Sequence, residues 1–104
     1  MRESTIEKHL VERVKALGGE IRKVQWVGRR GAPDRLVMLP AERLGWGVNA
    51  DRIVTHVSNT VWVELKASGE KVKPHQAREH ERMRAMGQRV VVIDSIEGVE
   101  ELLR

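Results

Sequence analysis

Asp34, Glu64 and Lys66 are the residues whose types and spacing suit chemistry. In "VWVELKASG", Val61 to Gly69, an acid and a base interrupt an apolar run two residues apart. Side chains at i and i+2 of a strand point to the same face. Trp62, Glu64 and Lys66 therefore share one face, and Val61, Val63 and Leu65 share the other. Glu64 and Lys66 would lie about 6.6 Å apart along such a strand, a spacing that also fits a structural salt bridge or a solvated edge. Asp34 opens a second apolar run, "DRLVML", directly after Pro33 and a turn holding Gly28 and Gly31. It also fits a turn acid bonded to its own backbone. If the two runs are neighbouring strands, two carboxylates meet. They repel, and burial raises at least one pKa unless a cation intervenes. Mg²⁺ suits that place, because it prefers oxygen ligands and needs only one or two carboxylates beside phosphate oxygens and water. The Leu65 carbonyl can add another oxygen. The Lys66 ammonium, beside an ion and a phosphate, can orient the nucleophile or stabilise developing charge.

Two further polar residues sit on helical segments. Glu7 fits a capping box with Ser4, yet Val11 and Val14 share its side, so its carboxylate can reach a metal site directly or through water. Gln76 falls in the first turn of a helix, with His80 and Met83 on its side, and suits a phosphate, a metal water or a cap. The histidines, His9, His56, His75 and His80, show no metalloprotease spacing and read as surface or packing residues. No glycine-rich nucleotide loop and no nucleophile elbow occurs, so a small-molecule cofactor has no support.

The elements that must position these groups follow from periodicity. Ile6, Leu10, Val14 and Leu17 recur at helical spacing over Ser4–Leu17, and Gly18-Gly19 supplies the stop. Glu20–Val27, Asp34–Leu39 and Val61–Lys66 read as strands. Pro74 starts a helix that ends near Met86 before Gly87. "QRVVVID" is apolar enough for an interior strand, and Ser95–Leu103 closes the chain as a helix capped by Ser95. The order α-β-β-β-α-β-α predicts an α/β domain over 1–104, with a mixed sheet flanked by helices and a parallel β-α-β crossover. The stretch 40–60 is long for a connection. "RIVTHV" within it has strand character and reads as part of an extended loop or hairpin, with Trp46 at an exposed tip.

Composition narrows the class. The 104 residues are 40% apolar and 33% charged, which suits a folded domain. No apolar run approaches the roughly 20 residues of a membrane span. Met1–Lys8 is charged rather than signal-like. The chain has no cysteine, which excludes thiolate sites and makes an intracellular location the expectation. The net charge is +4. Basic residues cluster at Arg22, Lys23, Arg29, Arg30 and Arg35, and again at Lys66, Lys71, Lys73, Arg78, Arg82, Arg84 and Arg89. Such clusters suit phosphate binding or a solvated surface. With Phe and Tyr absent and three Trp present, a single-strand stacking platform is not expected.

The stretches "GRRGAPDRLVML", "VWVELKASGEKVKPHQ" and "EHERMRAMGQRVVVIDSIEGVEELL", in that order, resemble the virus-type replication-repair nuclease domains, VRR-NUC, of the PD-(D/E)XK superfamily. The resemblance covers nearly the whole chain and rests on Pro33-Asp34 and Glu64-Leu65-Lys66. It implies a restriction-endonuclease-like core with Mg²⁺- or Mn²⁺-dependent phosphodiesterase chemistry. Asp34 and Glu64 would be metal ligands, Lys66 the catalytic lysine, Glu7 the acid of the first helix and Gln76 the glutamine of the following helix. It further implies a prokaryotic or phage-encoded homodimer acting on branched DNA such as Holliday junctions or flaps. Arg29, Arg30, Arg35, Lys71 and Lys73 would grip neighbouring phosphates without reading sequence. A non-catalytic nucleic-acid-binding module on the same scaffold is the alternative. The stretch 40–60 departs from the short hairpin of the family.

Overall fold

The computed structural model describes residues 1–40 and 59–104. The elements are α1 (Glu3–Ala16), β1 (Glu20–Lys23), β2 (Arg35–Met38), β3 (Thr60–Leu65), α2 (Pro74–Ala85), β4 (Val90–Ile93) and α3 (Ile96–Leu103). They build one mixed sheet in the order β1-β2-β3-β4. β1 pairs antiparallel with β2 and β2 antiparallel with β3, while β4 lies parallel to β3 through the α2 crossover. This is the α/β architecture that the sequence predicts. "RIVTHV" and Trp46 lie outside the described residues.

The alternation along β3 sorts its side chains onto two faces. Val61, Val63 and Leu65 pack with Ile6, Leu10 and Val14 of α1, Val37 of β2, and Val99 and Leu103 of α3. Each such buried aliphatic side chain contributes about 1.5–3 kcal/mol, which is what fixes the register of β3. The opposite face carries Trp62 and Glu64 toward α2, whose buried residues are Glu79, His80 and Met83. One strand thus holds the core together and presents polar groups on the other side.

Three details differ from expectation. First, α1 begins at Glu3 with Arg2 as its N-cap and has no side-chain cap. Ser4 lies inside the helix, so no Ser4–Glu7 capping box forms and the Glu7 carboxylate faces a tertiary partner. Second, β1 stops at Lys23. The chain then turns, and the Trp26 indole N–H donates to the Pro33 carbonyl at 2.8 Å. Third, β4 is an edge strand among the described residues, and its Val92 is 40% exposed. A short apolar run does not by itself distinguish an interior strand from an edge strand.

The Ser95 cap forms as expected, its Oγ accepting the Gly98 N–H at 2.9 Å. α1 and α3 are also joined by Glu100, which accepts from Arg13 Nε at 2.9 Å and lies 2.7 Å from His9 Nε2. The Arg13 and His9 hydrogen bonds hold the Glu100 carboxyl down to about 2. Among the described residues, no helix is long and apolar enough to cross a membrane.

Candidate active site

The β2–β3 ladder ends at the Arg35–Val63 pair. Asp34 directly precedes Arg35 and Glu64 directly follows Val63, so the two acids flank that end of the ladder, near enough for Asp34 to raise the Glu64 carboxyl. The Glu64 side chain is 12% exposed and that of Asp34 is 49% exposed. One carboxylate is therefore sunk beneath α2 while the other looks toward solvent. The turn before Asp34 is anchored at Gly31, whose φ of +88° is left-handed and whose Cα faces the first turn of α2. A Cβ there would fall 2.9 Å from the His75 carbonyl oxygen. Glycine at 31 thus lets the loop that carries Asp34 dock on the helix that carries Gln76.

Lys66 follows the last residue of β3, just after Leu65. Its Nζ donates to Gln76 Oε1 at 3.0 Å and lies 3.7 Å from Glu64 Oε2. The same Gln76 oxygen accepts the Lys73 backbone N–H at 2.8 Å. Gln76 therefore caps α2, one of the roles open to it from sequence, and also tethers the Lys66 ammonium, a contact the sequence did not suggest. Burial pushes the Glu64 carboxyl up to about 7. Lys66 pulls it down, whereas Asp34 and Glu3 push it further up.

Glu7 enters from α1 through an arginine. Arg35 Nε donates to Glu7 Oε2 at 2.7 Å, and its Nη1 reaches Asp34 Oδ1 at 2.8 Å. Arg35 is itself buried. This corrects its placement among the surface residues that would grip phosphate. Position 35 pairs with Val63 on the core side of the sheet, where its guanidinium clamps two acids rather than facing solvent. Arg30, Lys71 and Lys73 are exposed, as is Arg29, which leans 3.5 Å from the buried Glu79. Among the described residues, no three His, Cys, Asp or Glu side chains gather into a metal-holding group. The convergent acids are Asp34 and Glu64, with Glu7 one guanidinium away.

His80 is the site residue that sequence reading missed. It is 1% exposed, and its Nε2 lies 3.6 Å from Glu64 Oε1 with no hydrogen-bond partner. Leaving such an atom unpaired costs about 1–3 kcal/mol. Burial lowers its pKa, and nearby Arg84 and Lys66 lower it further. The available signal was its place one turn after Gln76, on the same side of α2. Trp62, two residues before Glu64, packs on Trp26 with ring centroids 5.1 Å apart.

The element order, mixed sheet and flanking helices define a restriction-endonuclease-like α/β core. A solved structure described as a VRR_NUC domain superposes with a TM-score of 0.72 at 40% identity, covering 96% of this chain and 91% of that one. The chain is also 44% identical over 95 residues to "Putative nuclease p44" of Acyrthosiphon pisum secondary endosymbiont phage 1, spanning 91% of this chain and 85% of that protein. No family model matches the chain. On the strength of these similarities, the chain belongs to the VRR-NUC family of nuclease domains.

Proposed function

We propose that this domain is a metal-dependent, structure-selective DNA endonuclease that hydrolyses phosphodiesters in branched DNA as a homodimer. The observation that carries the reading is that Asp34 and Glu64 flank the Arg35–Val63 end of neighbouring strands, with the Lys66 ammonium tethered by Gln76 at 3.0 Å and lying 3.7 Å from Glu64. The donor set suits Mg²⁺ or Mn²⁺. Asp34, Glu64 and the Leu65 carbonyl would hold the ion, and Glu7 would act through water. Burial raises the Glu64 carboxyl to about 7, and a cation bound beside it would favour the anionic form. When bound, the ion would supply Lewis-acid stabilisation to the scissile phosphate.

The chain's own residues do the rest. Lys66, held at 3.0 Å by Gln76, keeps its charge aimed at the carboxylates and at a phosphate resting on them. Arg35 fixes the orientation of Asp34 from behind. The exposed Arg29, Arg30, Lys71 and Lys73 grip neighbouring phosphates, which positions DNA without reading its sequence. A two-fold dimer would offer one site to each of two strands of a junction.

The test is a cleavage assay on junction, flap, nicked and plain duplex DNA, with and without Mn²⁺. Cutting of branched DNA that needs the ion, and that is lost in Asp34→Ala and Glu64→Ala while binding persists, is expected. Undiminished cleavage by both variants removes the site. Salt-sensitive binding without cleavage of any substrate points instead to a non-catalytic DNA-binding module.

A further inference from the structure

We propose that His80 is a positioning residue for Glu64. Its Nε2–H donates to Glu64 Oε1 and turns the carboxylate so that its remaining lone pairs face Asp34. This deepens the endonuclease reading and rests on it. Three observations carry it. His80 is 1% exposed, so water does not serve its ring. Its Nε2 has no partner, although buried polar atoms are nearly always paired. Glu64 Oε1 stands 3.6 Å away, slightly too far for a hydrogen bond.

Closing that gap by about half an ångström makes an ordinary N–H···O bond. Glu64 Oε2 stands at a similar remove from Lys66 Nζ, at 3.7 Å. The carboxylate therefore lies between two donors, each just beyond bonding distance, and a small rotation engages either one. Catalytic hydrogen bonds are often long in the unloaded protein and shorten when the site is filled. A histidine kept only for packing needs no polar atom aimed at an acid, and a leucine or phenylalanine would fill the space. Hydrogen bonds behind a ligating carboxylate typically hold about 10- to 100-fold of metal affinity.

The experiment compares wild type, His80→Leu and His80→Gln. Mn²⁺ binding is measured by calorimetry, and folding by urea denaturation in chelator. His80→Leu should stay folded and bind Mn²⁺ about 10- to 100-fold more weakly. His80→Gln, whose amide keeps a donor, should stay within a few-fold of wild type. Equal binding by wild type and folded His80→Leu overturns the role of His80 alone, as does equal weakening in both variants. Absence of Mn²⁺ binding by wild type overturns the metal-dependent reading together with it. An independent check on wild type is the ¹⁵N spectrum of the His80 ring with Mg²⁺ added. A ring protonated at Nε2 is required, and a proton at Nδ1 alone refutes the proposal.

Discussion

Glu64→Gln should make the metal-free protein more stable, by an amount that depends on pH. The Glu64 side chain is 12% exposed and its carboxyl is raised from 4.5 to about 7, a balance that already includes the attraction of Lys66. Between those values the folded protein holds a proton that the unfolded chain has released. The unfolded state therefore binds fewer protons, and stability falls as pH rises through this window and levels above about 7. At 1.36 kcal/mol for each unit, the full height of the slope is about 3 kcal/mol as an upper bound. Glutamine keeps the shape and carries no charge, so the slope should disappear. The two proteins should match within about 1 kcal/mol at pH 4, where the wild-type acid is protonated in both states. At pH 8 the variant should be more stable by up to about 3 kcal/mol, a rise in melting temperature on the order of 10 °C for a domain of this size. The assay is urea denaturation from pH 4 to 9 in chelator. Parallel stability curves for the two proteins, or a variant weaker than wild type at pH 8, would refute the claim that this carboxylate is held at a cost to the fold.

The remaining predictions concern neighbouring groups. Arg35→Met should cost about 1–3 kcal/mol in urea denaturation by leaving Glu7 and Asp34 without their shared cation. The exposed Arg30, changed to Ala, should leave stability nearly unchanged and reduce the salt slope of DNA binding by about one. Gly31→Ala should lose about 1–2 kcal/mol to its left-handed backbone and more to the 2.9 Å contact with His75, with cleavage falling as the Asp34 loop lifts from α2. Gly28→Ala, at φ +75° with no neighbour within 4 Å, should lose only the backbone part and keep cleavage. Glu100→Gln should lower the melting temperature at pH 7. Because the Glu100 carboxyl is depressed to about 2, its contribution is present above the unfolded value of 4.5 and lost as pH falls through about 2. The deficit of the variant should therefore vanish in strong acid.

Local pattern was enough for much of this protein. The helical recurrence of Ile6, Leu10 and Val14, the cap at Ser95, Pro74 at the first position of α2 and the alternation Val61–Leu65 each depend on interactions within a few residues. They made the element order and the α/β class legible. The alternation also separated Glu64 from the core face, because the side-chain period of a strand is fixed by its backbone. Tertiary structure decided what depends on register and on which surfaces meet. The Arg35–Val63 pairing that brings Asp34 and Glu64 to the same end of the ladder is a long-range choice. That same pairing turns Arg35 inward to Glu7, so a residue that looks like surface charge becomes an internal clamp. The packing of α2 over β3 buries His80 against Glu64 and brings Gln76 to Lys66. It is also what raises the Glu64 carboxyl, since desolvation comes from neighbours distant in the chain. Local sequence sets which groups a strand or helix can present; only the packed fold sets which of them lose water together, and their electrostatics follow from that.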